Sequence, residues 1–254
     1  MSVVLGIPTV KRNHQSYLQN TLKSIFNNLQ PEDDKDTLVV IFVAETDPDF
    51  VLTLYKSIKA DFQVQLESGI LEVISPPAEF YPNWTTSLKP TLGDPLDRVQ
   101  WRSKQNLDFA FLMMYAQGRG IFYVQLEDDI ITKPNFVAIM REFALEKNAE
   151  PWLVIDFSEL GFIGKMFSTS SMPSFIQFLL NFYNDKPNDW LLDDFIRTKV
   201  CRLDHDAQKC QKEKQAIRIQ HQPSLFQVRC IILISNVNST IGPILFSIWV
   251  PIQH

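Results

Sequence analysis

The residues best able to do chemistry are three adjacent carboxylates, Glu127-Asp128-Asp129. They directly follow the apolar run Ile121 to Leu126, which reads as a buried strand. In parallel-sheet proteins the carboxyl ends of strands are where ligands bind. Three acidic side chains in such a place repel one another unless a cation joins them. Oxygen-only donors select a hard ion such as Mg²⁺ or Mn²⁺, which keeps coordination positions open for substrate phosphates. The chemistry implied is a nucleotide-diphosphate site in which a metal, acting as a Lewis acid, neutralises a departing phosphate. Glu127, Asp128 and Asp129 together are the candidates for holding the ion and the nucleotide. A solvated acidic turn has the same composition, and spacing alone leaves both readings open.

A second group that could meet phosphates is Arg98, Arg102 and Lys104, on one predicted helix. A solvated basic face is the alternative. Trp84 and Trp101 are able to stack on a sugar or a base, although core packing is the commoner role of a lone tryptophan. No nucleophile constellation stands out. His14, His205, His221 and His254 are scattered and read as surface residues. Gly6 stands alone after the first strand, so no dinucleotide fingerprint is present. Cys201, Cys210 and Cys230 include no CxxC pair, which argues against a zinc site. Cys201 and Cys210 flank a short charged stretch and suit either a loop disulfide or two free thiols. Asn83-Trp84-Thr85 and Asn238-Ser239-Thr240 are glycosylation acceptors only if the chain enters the secretory pathway.

The elements that must position these groups alternate. Val3 to Ile7 is a short strand expected to stop at Pro8. Leu18, Leu22, Ile25, Phe26 and Leu29 then repeat as one helical face, with Ser16 as a possible cap. Leu38 to Val43 is a β-branched run suited to burial on both faces. Phe50, Val51, Leu54, Tyr55, Ile58 and Phe62 repeat at helical spacing, and Ile70 to Ile74 is a third strand. Residues 78–97 read as a long loop. Arg98 to Tyr115 is a helix with Leu107, Phe111 and Met114 inward. After the strand that carries the carboxylates, Pro134 opens another helix and Trp152 to Phe157 forms a fifth strand. Phe175 to Tyr183 and Trp190 to Val200 also read as helices, and Ile217 to Ile219 as a short strand. The pattern predicts an α/β fold with a mostly parallel, doubly wound sheet and flanking helices.

The net charge of −5 gives no case for a nucleic-acid partner. With 45% hydrophobic and 21% charged residues, the 254-residue chain has the composition of one ordinary α/β domain. No signal peptide is visible, and Met1 runs directly into the first strand. Residues 230–250 carry no charge and are long enough to span a bilayer. Asn236, Asn238 and the central Gly242-Pro243 argue against a spanning helix. This tail is expected to pack loosely or to be disordered.

Several segments together resemble the N-acetylglucosaminyltransferase IV family. They are Val4 to Arg12, Leu71 to Pro76, Trp101 to Asp108, Phe111 to Gln117, Gln125 to Ile130, Leu160 to Phe167 and Asp189 to Asp193. The resemblance runs from Val3 to about Gln227. It implies a GT-A-like catalytic-type domain over 1–227, with a donor-binding half of about 1–133 and an acceptor half of about 134–227. Residues 228–254 remain as a divergent apolar tail. It also implies UDP-GlcNAc as donor, Mn²⁺ as cofactor and a Golgi-lumenal setting. The α1,3-mannose arm of an N-glycan is the implied acceptor, given a β1,4-linked GlcNAc with inversion. By position, Glu127, Asp128 and Asp129 match the metal and UDP motif, and Arg102 and Lys104 fall in a second matching segment.

An inverting transfer needs one base to take the acceptor proton on the side opposite the leaving UDP. Asp156, Glu159, Asp193 and Asp194 are the candidates, with Asp156 preferred because it ends the strand after the carboxylate strand. Where active members of the family read Glu-Phe-Ser-Gln, this chain reads Asp156-Phe157-Ser158-Glu159, and it has Asp194 where they have His. The shorter Asp156 withdraws its oxygens by one methylene, and a misplacement of about 1 Å can cost roughly a hundredfold in rate. The family pattern also breaks at Val228. These departures suggest a divergent, D-type-like member or a truncated form. They keep open a non-catalytic role, binding and modulating another Golgi N-acetylglucosaminyltransferase.

Overall fold

The computed structural model describes residues 1–12, 17–147 and 151–228. Ser16, His14, Cys230, His254, the second sequon and nearly all of the apolar tail lie outside them.

The sheet begins with β1 (Val3–Thr9), β2 (Thr37–Val43), β3 (Leu71–Ile74) and β4 (Phe122–Gln125), linked by α1 (Leu18–Asn28), α2 (Pro48–Ser68), the short α3 (Trp84–Ser87) and α4 (Leu96–Ala116). All seven residues of β2 are buried, as its run of Leu, Val, Ile and Phe demands. Side chains alternate across the sheet. Val3, Leu5 and Ile7 pack with Leu22 of α1 and with Ile58 and Phe62 of α2. Val4 and Val40 pack with Phe109, Leu112 and Met113 of α4. Helices thus cover both faces, the expected doubly wound arrangement. Asp47 caps α2 by accepting from Asp49 N and Phe50 N, Pro48 opens it, and Gly69 closes it at φ 78°.

The chain continues through β5 (Ile130–Thr132), α5 (Phe136–Glu146), β6 (Val154–Asp156), β7 (Lys165–Ser168), α6 (Met172–Phe182), α7 (Asn188–Val200), α8 (Ala207–Ile217), β8 (Arg218–Gln220) and β9 (Phe226–Val228). The main sheet has the order β3-β2-β1-β4-β7-β6-β8, and β5 pairs with β9 in a separate ribbon. β3, β2, β1 and β4 are mutually parallel, whereas β7 is antiparallel to both its neighbours. β6 therefore points the same way as β4, and β8 is parallel to β6. In consequence Thr9, Ala44, Glu127, Asp156, Lys165 and Gln220 all fall along one edge of the sheet.

Several local expectations change. Pro8 does not end β1, which runs to Thr9. β4 pairs only as far as Gly6, so β1 has lost one neighbour where the proline sits and its missing N–H disrupts nothing there. Gly6 is required by packing: a Cβ would collide with the Tyr123 ring, whose hydroxyl donates to Gln125 Oε1 at 2.6 Å. The loop 78–97 contains a 3₁₀ turn at Ala78–Phe80 and then α3. Met114 is exposed on α4, while Leu112 and Met113 fill the core. The helix after β5 starts at Phe136 rather than Pro134. His205 and His221 are not surface residues. His205 Nδ1 stands 2.8 Å from Glu213, and the His221 ring packs against Phe143 and Phe157. Cys201 and Cys210 form a disulfide across the α7–α8 connection.

Candidate active site

The carboxylate triplet follows β4 at the carboxyl edge of the sheet. Its three members differ in environment. Asp128 is buried and turned toward β1. Its Oδ2 accepts from Thr9 Oγ1 at 2.6 Å, and its Oδ1 accepts from Arg12 Nη2. Its backbone carbonyl accepts from Thr21 Oγ1 at 2.8 Å, tying the turn to α1. Asp128 is thus consumed by structure. Asp129 is half-buried, and its buried Oδ1 has no hydrogen-bond partner among the described residues. Glu127 Oε1 would stand 3.6 Å from a Cβ at Gly161, so the glycine leaves room beside this carboxylate.

The electrostatics follow from this crowding. Burial pushes the Glu127 carboxyl up to about 7, and repulsion from Asp129 and Asp128 adds to it. Burial also raises Asp128 and Asp129, with the Arg12 cation opposing both shifts. Among the described residues no three His, Cys, Asp or Glu side chains converge as a complete ligand set. The donors still fit a hard divalent cation, because such ions are often held by one or two carboxylates and complete their shell with water and phosphate oxygens. Asp129 keeps one buried oxygen without a protein partner among the described residues, and Glu127 is raised by burial and by its two acidic neighbours.

The basic candidates divide. Arg102 is 2% exposed, and its guanidinium donates to Asp94 and to the Thr91 hydroxyl. It braces the turn before α4 and is not presented to a phosphate, because a buried guanidinium must spend its donors on fixed partners. Lys104 does reach the carboxyl edge. Its Nζ donates to Ala44 O at 2.7 Å and to Asp108 Oδ2 at 2.9 Å, and stands 4.9 Å from the centre of the Tyr81 ring. On the same edge a cavity of about 300 Å³ lies beyond β2 and β3, lined by Glu45, Val51, Tyr55 and Ile74 among others. Trp84 is half-buried near Tyr81, and Trp101 is 50% exposed.

The family model described as "MGAT4 conserved region" matches residues 1–238. The chain belongs to that family. It is 50% identical over 227 residues to alpha-1,3-mannosyl-glycoprotein 4-beta-N-acetylglucosaminyltransferase B of Mus musculus, covering 89% of this chain and 41% of the relative. It is also 50% identical to the corresponding enzyme A of Rattus norvegicus, with 89% and 43% covered. The chain therefore spans about two fifths of the length of these relatives. Among solved structures, TarS of S. aureus aligns at a TM-score of 0.45 and 10% identity, covering 84% of this chain and 42% of that one.

Within this MGAT4-family chain the four candidate bases fall into two settings. Asp156 is buried at the end of β6; its Oδ2 accepts from Arg218 Nε at 2.6 Å, and Lys165 Nζ stands 3.1 Å from its Oδ1. Glu159 is exposed and accepts from the amides of Gln220 at 3.2 Å and Gln222 at 2.5 Å. Asp193 pairs with Lys214 at 2.5 Å and fastens α7 to α8. Asp194 pairs with Lys186 at 2.6 Å. Asp156 and Glu159 share one surface, whereas Asp193 and Asp194 serve the helical layer. Sequence reasoning passed over Thr9, Arg12, Lys165 and Arg218 as site residues. Thr9 and Arg12 were signalled by their place at the end of the central strand β1 and just beyond it. Nothing local to Lys165 or Arg218 pairs them with Asp156, because the contacts depend on the long-range pairing of β6 with β7 and with β8.

Proposed function

We propose that this chain is the donor-handling domain of an N-glycan-branching transferase. It takes UDP-GlcNAc with Mn²⁺ and places GlcNAc in β1,4 linkage, with inversion, on the α1,3-mannose arm. The observation that carries this reading is the triplet at the end of β4, where Asp128 is locked by Thr9 and Arg12 and Asp129 keeps a buried oxygen without a partner. Family membership and the names of the two relatives supply the substrates, and the mostly parallel, helix-covered sheet agrees with the GT-A-like expectation. A divalent cation held by Asp129, with Glu127 beside it, supplies neutralisation of the departing diphosphate. Arg12 and Thr9 fix the turn that presents Asp129, and Lys104 adds positive charge at the end of β2. The Cys201–Cys210 disulfide and the exposed Asn83 sequon support an oxidising, Golgi-lumenal setting. Among the described residues no helix is long and apolar enough to cross a membrane.

The test is transfer from UDP-GlcNAc to an agalacto-biantennary N-glycan by folded, monodisperse chain. Transfer that requires Mn²⁺ and is lost in Asp129→Asn supports the mechanism. Transfer that persists in EDTA, or in the variant, refutes it.

One observation favours a second reading, binding without turnover. Each candidate base is already held, Asp156 by two cations, Glu159 by two amides, and Asp193 and Asp194 by lysines. A carboxylate braced by cations is a poor proton acceptor. The chain would then bind UDP-GlcNAc and act by associating with another Golgi N-acetylglucosaminyltransferase. Binding of UDP with Mn²⁺, absent transfer, and co-purification with such an enzyme would favour this second reading over the first.

A further inference from the structure

Beside the triplet lies a second cavity, of about 400 Å³, lined by Asp156, Ser158, Glu159, Lys165, Arg218 and Gln220. Every lining side chain is polar, and the volume falls within the roughly 300–1,000 Å³ typical of small-ligand sites. Part of the wall is buried and held by hydrogen bonds. Lys165 is 3% exposed and Ser158 is 2% exposed, and Lys165 Nζ donates to Ser158 O at 3.0 Å. Ser158 Oγ accepts from Leu160 N at 3.1 Å, fixing the turn after β6. Arg218 uses only Nε on Asp156, so both Nη groups are without a protein partner among the described residues. Asp156 Oδ1 is buried and accepts no well-directed hydrogen bond, although Lys165 stands near it.

The charges cancel, two carboxylates against one amine and one guanidinium. No net field draws in an anion, and the embedded amine and guanidinium repel a metal. What remains is a fixed set of donors and acceptors. That suits a neutral ligand whose groups both donate and accept, which is the chemistry of a polyol. Position agrees. Lys165 is paired in register with Gln125, two residues before Glu127, and its cation acts on the Glu127 carboxyl. Gly161, from the same β6–β7 connection, lies against Glu127. The cavity therefore adjoins the proposed diphosphate site, on the side away from β2 and β3.

We propose that this cavity is a saccharide-binding subsite, in which the Nη groups of Arg218 and the Gln220 amide hydrogen-bond ring hydroxyls and Asp156 accepts from one. It deepens the transferase reading, on which the choice of an N-glycan as the saccharide rests. Asp156 is then a binding residue held in place by Lys165 and Arg218.

The test is titration calorimetry of the folded chain with an agalacto-biantennary N-glycan and, separately, with UDP plus Mn²⁺. Two variants are compared with wild type: Arg218→Met, which keeps the Asp156–Lys165 pair, and Gln220→Trp, which fills the cavity from an exposed strand position. Both are expected to weaken the glycan by about tenfold or more, the effect of losing one charge-assisted hydrogen bond or of steric filling. UDP affinity is expected to hold in both variants; melting temperature is expected to hold in Gln220→Trp and to fall in Arg218→Met, which loses the pair with buried Asp156. Unchanged glycan affinity in both variants overturns the subsite, as does a wild type that binds UDP with Mn²⁺ but no glycan. A wild type that binds glycan but not UDP, and loses the glycan in both variants, upholds the subsite while the transferase reading falls. Failure of folded wild type to bind either ligand overturns both.

Discussion

The proposed mechanism gives the neighbours Asp128 and Asp129 opposite duties, structural and ligand-binding, and a pair of substitutions separates them. In Asp128→Ala the buried Thr9 hydroxyl loses its acceptor, which costs about 1–3 kcal/mol. The Arg12 pair is lost as well, but the Arg12 side chain is 31% exposed, so water recovers much of its value. The expected cost to the fold is about 2–3 kcal/mol, or a fall of roughly 5–10 °C in melting temperature for a domain of this size. In Asp129→Asn the altered group had a buried oxygen without a partner and a carboxyl raised by burial. Removing that charge is expected to change stability by no more than about 0.5 kcal/mol or to raise it. Ligand binding should show the reverse order. Asp129→Asn is expected to abolish Mn²⁺-dependent UDP binding, while Asp128→Ala, studied below its melting transition, keeps a weakened form of it. Urea denaturation and titration calorimetry on the same preparations give both readouts. If Asp129→Asn destabilises the fold as much as Asp128→Ala, or if UDP binding survives it, the two carboxylates do not divide structure and binding between them.

Burial raises Asp108 to about 6, so the folded state holds its proton more tightly than the unfolded chain does, and stability should fall as pH rises from about 4 to about 6. A shift of about two units is worth at most ~3 kcal/mol, and denaturation of Asp108→Asn across that range should show a shallower slope. Arg102→Met removes the buried brace on Asp94 and Thr91 and is expected to cost about 2–3 kcal/mol, since Asp94 retains Arg98 at 3.4 Å. Limited proteolysis should then cut within 89–95 first, and UDP affinity of the folded fraction should be unchanged. Reduction of Cys201–Cys210, which are nine residues apart, should cost about 2.5–3 kcal/mol on loop-closure grounds and lower the melting temperature of wild type but not of a Cys201→Ser, Cys210→Ser chain.

The parallel half of the sheet was legible because its signals are local. Buried runs such as Leu38 to Val43 and helical faces such as Leu18, Leu22 and Ile25 announce themselves within a short window. The triplet was legible for the same reason, since it adjoins a strand. Long-range partners were not. Lys165 sits in a strand of four residues that no periodicity marks, and its pairing with Gln125 spans forty positions. Arg218 meets Asp156 only because β8 adds to the far edge of the sheet. Arg102 misled because a basic residue on a predicted helix does not show whether its side chain is wet; the turn at 91–94 folds over it. The helix signal at α8 was hidden by a charged sequence with little apolar periodicity, AQKCQKEKQAI, whose helix is anchored by Asp206 accepting from Lys209 N at 2.7 Å.

The placement of β7 between β4 and β6 has a consequence for how the chain comes to be folded at all. During synthesis the first four strands can assemble as soon as residue 125 has emerged, because each pairs with a strand already made. The outer edge of β4 must then wait, its backbone unpaired, until residues 165–168 arrive to cover it. The β5–β9 ribbon waits longer still, since Ile130 pairs with Val228. Closure of the molecule is therefore a late event controlled by distant pairings, which form slowly. An open β4 edge followed directly by three acidic residues is well served by that order: the charges next to it discourage a second nascent chain from pairing where β7 belongs.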